Sequence, residues 1–254
     1  MILSRLAVAR SPPFPANHAA APPVTDNPPP AAAADVPAAT VDAPAGAADA
    51  DLFAVTRATL RHYDAHAAGF RDGTWEHDVS QNIDALLDAI AAPPPCRILD
   101  FGCGPGRDLR AFKARGHAPV GLDGAVEFAA MARAAGFEVL LQDFLELDLP
   151  AAHFDGVFAN ASLFHVPARA LPRVLRELRA ALKPGGVLFA SNPRGDNREG
   201  WHGERYGAYH DWARWRDFVT AAGFAEVRHY YRPAGLPRAQ QPWLASVWRK
   251  VEEA

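Results

Sequence analysis

The chain has 254 residues, of which 49% are apolar and 22% charged, a composition ordinary for a globular protein with a substantial core. A formal charge of −3 leaves no electrostatic footprint for nucleic acid or an anionic membrane, and no apolar run approaches the roughly twenty residues of a membrane span. Cys96 and Cys103 sit at opposite ends of one predicted strand and turn, too far apart along an extended segment to bridge easily, so a reducing, cytoplasmic setting is the simpler expectation.

Residues 1–50 contain 17 Ala and 10 Pro with no sustained periodicity, and they read as a disordered tail ahead of one domain over 51–254. The apolar, basic start Met1–Arg10 leaves organelle targeting as an alternative. From Asp51 to Phe70, Leu52, Val55, Thr59, Tyr63 and His66 recur at helical spacing. His62 and His66 lie one turn apart, but no partner completes a ligand set, so no metal is expected. A second helix over Asp78–Ala91 carries Ile83, Leu86, Leu87 and Ile90 as a core stripe, and Pro93-Pro94-Pro95 stops it.

The run Arg97-Ile98-Leu99-Asp100-Phe101-Gly102-Cys103-Gly104-Pro105-Gly106 reads as strand, glycine turn and helix start. Such a turn brings backbone close to a ligand and aims unpaired N–H groups at it. A dinucleotide fingerprint would need its third glycine at 107, where Arg107 stands. The next strand, 118–122, ends at Asp123, and the strand 137–141 is followed by Asp143 and Phe144. Acidic residues therefore close three successive strands at intervals of about twenty residues, the spacing of a repeated strand–helix unit.

Asp-x-Gly-x-Gly-x-Gly over 100–106, the acidic series, and Leu-Lys-Pro-Gly-Gly-Val-Leu over 182–188 together resemble the class I S-adenosylmethionine-dependent methyltransferases, specifically a type-11-like small-molecule group. The resemblance covers residues 51–254. It implies a Rossmann-like α/β fold with a seven-stranded sheet in the order 3-2-1-4-5-7-6, the last strand antiparallel and helices on both faces. It also implies that S-adenosylmethionine is held by Tyr63, Asp100, Gly102, Gly104, Gly106, Asp123, Gly124, Asp143, Phe144 and Asn160. Asp123 is then the ribose ligand, Asp143 meets the adenine amino group, and Phe144 flanks the ring.

The strand 153–160 leads into Asn160-Ala161-Ser162-Leu163-Phe164-His165, which lacks the Asn/Asp-Pro-Pro-aromatic motif of DNA amino-methyltransferases and resembles small-molecule enzymes. His165 is expected either to take a proton from the nucleophile or to hold this loop. A further helix around 171–182 and a strand over 187–191 lead to Pro193–His210, a polar, aromatic, Gly-rich connection at a strand's carboxyl edge. Substrate contacts are expected there from Arg194, Trp201, Arg205, Tyr206 and Tyr209, with Arg194 loosely matching the carboxylate-receiving arginine of glycine N-methyltransferases. Helix 211–222 and strands 224–231 and 243–249 complete the domain, and Arg238, Gln241 and Trp243 are expected at the pocket mouth.

The expected activity is in-line methyl transfer from S-adenosylmethionine to a small-molecule acceptor, a carboxylate-bearing one among the options. No metal, nucleic-acid or membrane partner is expected. A non-catalytic S-adenosylmethionine-binding partner and, less favoured, a nucleotide-dependent oxidoreductase are the alternatives.

Overall fold

Apolar runs without polar alternation become the middle of one sheet, because helices cover both of its faces. The structure, a computed structural model, describes residues 45–252, with side chains from 51 onward. The proposed tail over 1–50 lies outside the described residues up to position 44, and the first helix begins inside it, at Ala45.

Seven strands form the main sheet: β1 (Arg97–Phe101), β2 (Ala118–Asp123), β3 (Val139–Leu141), β4 (Phe154–Asn160), β5 (Leu182–Pro193) and, after a separate hairpin, β8 (Phe224–Arg232) and β9 (Trp243–Lys250). Their order is β3-β2-β1-β4-β5-β9-β8. The first five are mutually parallel, and β9 runs antiparallel between β5 and β8. This is the expected 3-2-1-4-5-7-6 arrangement, with β8 and β9 as its sixth and seventh strands.

Side chains along each strand alternate between two cores. Ile98, Phe158, Val187, Phe189 and Val247 face one side, where Ile83 and Leu86 of α3 (Ser80–Leu87) and Phe112 of α4 (Arg107–Ala114) pack. Leu99, Val157, Leu188, Ala190 and Trp248 face the other. There they meet Val174, Leu175 and Leu178 of α6 (Leu171–Ala181) and Trp215 and Val219 of α7 (Trp212–Ala221). Truncating a fully buried leucine such as Leu175 would cost about 2–5 kcal/mol, so these stripes dominate the stability of the sheet. Helix α5 (Val126–Ala134) covers β2 and β3, whereas α1 (Ala45–Ala65) and α2 (Ala67–Thr74) lie across the carboxyl edge. The expected helix over 51–70 therefore breaks at His66.

The largest departure falls between β5 and α7. What reads as an irregular connection is a hairpin of β6 (Arg198–His202) and β7 (Arg205–Tyr209), turned by Gly203 at φ +62° and Glu204. Glycine opens such a two-residue turn without strain. Strand β5 also starts five residues earlier than expected, because Leu182 pairs with Phe154. Among the described residues no helix is long and apolar enough to cross a membrane, and both cysteines are free and buried.

Candidate functional site

A cavity of about 500 Å³ opens at the carboxyl edge of the sheet, where open α/β sheets bind ligands. The loops after β1, β2, β3 and β4 form its floor and walls, and α1 with the hairpin forms its roof.

The floor follows from the glycines. Gly102 and Gly104 adopt φ of +80° and +53° and line the cavity. A Cβ on Gly102 would lie 2.4 Å from the Ser162 Cβ, so only glycine lets the turn approach the loop after β4. Ser162 locks that approach by donating its hydroxyl to the Phe101 carbonyl at 2.6 Å.

Two of the three strand-end carboxylates reach the cavity. Asp123 is buried at its wall, where one oxygen accepts from Gly104 N (2.8 Å) and the other from Ala125 N (2.9 Å). Burial raises its pKa to about 6, against the lowering pull of those amides. Asp143 accepts the Thr56 hydroxyl (2.7 Å) and Leu145 N (2.9 Å), which ties α1 to the end of β3. Phe144 lines the cavity and stacks on Phe101 with centroids 4.1 Å apart. On the side of β4, Asn160 donates to Asp108 (3.3 Å) and accepts from Asn82 (3.0 Å), and Arg107 grips Asp108 through two nitrogens.

The roof holds a chain of three polar side chains. His165 donates its Nδ1–H to the Tyr206 carbonyl (2.6 Å), which leaves Nε2 to accept the Tyr63 hydroxyl (2.8 Å). Burial, opposed by that carbonyl, lowers the imidazole pKa to about 4, so the ring stays neutral. Arg205 reaches the Tyr63 oxygen only at 3.5 Å and lies over its ring, 5.8 Å from the centroid. Phe70 and Phe128 pack on Tyr63 from below.

This sheet order with a glycine floor and strand-end carboxylates has counterparts among known proteins. A family model described as a methyltransferase domain matches residues 98–186, from β1 into β5. The chain is 36% identical over 117 residues to a trans-aconitate 2-methyltransferase of Azoarcus sp., covering 43% of this chain and 44% of that one. It is 31% identical over 127 residues to a malonyl-[acyl-carrier protein] O-methyltransferase of Enterobacter lignolyticus, covering 48% and 50%. The chain thus spans about half the length of these curated relatives. A solved 1,6-didemethyltoxoflavin-N1-methyltransferase of Burkholderia thailandensis, with 1,6-didemethyltoxoflavin and S-adenosylhomocysteine bound, superposes with a TM-score of 0.63 at 25% identity, covering 84% of this chain and 94% of that one. Over residues 98–186 the chain matches a methyltransferase domain, and its fold is shared with a solved S-adenosylhomocysteine-bound methyltransferase.

The geometry of this cavity suits the cofactor product seen in that solved structure. Gly102 and Gly104 leave the floor bare. Each Asp123 oxygen, taking one backbone amide, keeps a lone pair for a hydroxyl donor.

Of the residues singled out in the sequence, Tyr63, Gly102, Gly104, Asp123, Asp143, Phe144, Asn160, His165, Arg205 and Tyr209 line the cavity. Six do not. Asp100 is buried beneath the turn with one oxygen unpartnered, and burial with Asp108 beside it pushes its carboxyl above the usual range. Gly106 caps α4 in a left-handed conformation against Ala132, and Gly124 makes room for Leu60 of α1. Arg194 gives its guanidinium to the carbonyls of Gln241 and Arg238, away from the cavity. Trp201 and Tyr206 point to the opposite face of the hairpin, where their rings meet edge to face. Both nitrogens of His165 are engaged, by the Tyr63 hydroxyl and the Tyr206 carbonyl, the geometry of the loop-holding one of its two expected roles. Trp243 lines the cavity as expected, whereas Arg238 and Gln241 do not.

Sequence reading missed Thr56, Thr59, Asn82 and His202. The first three sit at unremarkable helix positions with no motif around them. His202 is the cross-strand partner of Arg205, and only the hairpin register, which the sequence did not show, marks it.

Proposed function

We propose that this chain transfers the methyl group of S-adenosylmethionine to a small, carboxylate-bearing acceptor, as a member of the type-11-like small-molecule group. Asp123 carries the reading: a buried carboxylate beside a bare glycine floor suits the two hydroxyls of a ribose. Asp143 and Phe144 are assigned to the adenine, and Asn160 with the Gly102 and Gly104 backbone to the amino-acid end. When bound, the cofactor supplies an electrophilic methyl on a cationic sulfur.

The chain's own part is positioning and exclusion of water. Alignment of two reactants in a fixed site lowers a barrier by about 7–11 kcal/mol, and α1 with the hairpin closes over the cavity to provide it. Arg205 and Tyr209, on one face of the hairpin, are assigned to the acceptor. Relatives named for trans-aconitate and for a malonyl group agree with a carboxylate there. Free, buried Cys96 and Cys103 support a reducing, cytoplasmic setting.

The test incubates the full chain with S-adenosylmethionine and a small-metabolite library and follows S-adenosylhomocysteine release. Acceptor-dependent release is expected. Tight cofactor binding with no release from any acceptor would instead mark a non-catalytic binding protein.

A further inference from the structure

We propose that the nucleophile is a carboxylate oxygen of the acceptor, received by Arg205 and His202 on one face of the β6–β7 hairpin, so that the product is a methyl ester. The inference rests on the methyltransferase reading above and adds the acceptor atom.

Among the described residues three arginines line the cavity, and their partners differ. Arg107 is matched by Asp108 through two short contacts. Arg232 donates to the Asp78 carbonyl at 3.2 Å, and its charge is felt by the Asp78 carboxyl. Arg205 has no carboxylate within ion-pair distance among the described residues, and the neighbouring Glu204 turns outward to His62 at 3.0 Å. A partly buried guanidinium inside a cavity with only a phenol beside it is set for an anion, and its planar fork suits a carboxylate.

Hairpin register supplies the second hand. His202 pairs directly with Arg205, and directly opposed residues share a face. The His202 ring rests edge-on against Tyr209, and no hydrogen bond of its own is found among the described residues. Gly200 and Gly207 lie on the same face and leave it bare, with the Tyr209 ring lying where a Gly207 side chain would go. The charged lining is therefore divided: Asp123 and Asp143 follow strand ends and Asp108 opens α4 paired with Arg107, whereas Arg205 and His202 come from the roof.

A carboxylate needs no base. Its oxygen lone pair forms the new O–CH₃ bond as the C–S bond breaks, and that electron pair stays on sulfur, giving a neutral thioether and an ester with no proton released. Anion and sulfonium cancel, a step favoured between the aromatic walls of Phe70, Phe128 and Phe164. An amine acceptor would have to lose a proton first. Of the two roof imidazoles, His165 has both nitrogens engaged and His202 is assigned with Arg205 to the anion, and an ammonium beside Arg205 would be repelled.

Two measurements test this. In calorimetry on the full chain saturated with S-adenosylhomocysteine, benzoate, cinnamate and citrate are offered; binding of at least one is expected, weakened 10-fold or more in Arg205→Gln and partly restored in Arg205→Lys. Equal binding by parent and Arg205→Gln would overturn the subsite. In the second, methyl-labelled S-adenosylmethionine is incubated with the same acids and with benzylamine and cinnamylamine. Label released as methanol by mild alkali is expected from an acid. Alkali-stable label on an amine overturns the carboxylate assignment and leaves methyl transfer standing, whereas no transfer to either class, with S-adenosylhomocysteine still bound, overturns both.

Discussion

Asp123 and His165 pull the protein's pH dependence in opposite directions. The Asp123 carboxyl rises on folding from 3.8 to about 6, so the fold favours its proton, and its contribution to stability is present below pH 4 and lost as pH climbs through 6. The His165 ring falls from 6.5 to about 4, so its contribution is present above pH 6.5 and lost as pH falls through 4. Each spans about two pH units, worth at most roughly 3 kcal/mol, and between pH 4 and 6 the two slopes cancel. His165→Gln is therefore expected to cost most near pH 7 and progressively less toward pH 4 in urea unfolding. A cost that does not shrink with acid would show that His165 is not held neutral. A ribose hydroxyl favours the ionised carboxylate, so calorimetric affinity for S-adenosylhomocysteine is expected to be about 10-fold weaker at pH 5 than at pH 7.5.

Among the elements, the hairpin and α1 decide how the cavity is closed. Tyr206 N donates to the Thr59 hydroxyl at 3.0 Å, and Tyr63 binds His165 from the same helix, so the two roof pieces are joined above the floor. Gly207 keeps the hairpin usable: a Cβ there would lie 2.5 Å from the Tyr209 hydroxyl. Gly207→Ala is expected to displace that ring and raise the acceptor KM several-fold while leaving cofactor affinity unchanged. A matching loss of cofactor affinity would show that the hairpin serves the cofactor instead. These elements also mark what was legible beforehand. Asp123 and Asp143 were readable because each strand–helix unit returns the chain to the same edge, and spacing alone places its last residue there. The hairpin was not, because Gly200 and Gly207 interrupt the alternation that identifies strands. Nothing in the segment 193–210 separates Arg194 from Arg205. Only the strand register shows which one faces the cavity and which is spent on backbone carbonyls. Asp100 misled for a related reason: it opens the motif but sits one layer below the ligand surface.

At the scale of the whole molecule, one sheet edge gathers a glycine floor, carboxylates at the wall and a roof bearing Arg205, and α1 ahead of the sheet supplies part of that roof. Thr56, Thr59 and Tyr63 all belong to α1, so the functional unit is proposed to include that helix, which runs from Ala45 to Ala65. A chain starting at Ala45 is expected to bind S-adenosylhomocysteine as the full chain does, and one starting at Ala67 to bind it at least 10-fold more weakly, by calorimetry. Equal affinity in both would remove α1 from the site.

The most direct measurement is a calorimetric titration of S-adenosylhomocysteine into the full chain and into Asp123→Ala, with circular dichroism to establish that both are folded. Saturable one-site binding by the parent and its loss in the variant are the predicted result. Undiminished binding by a folded Asp123→Ala, or no binding by the parent, would contradict the account.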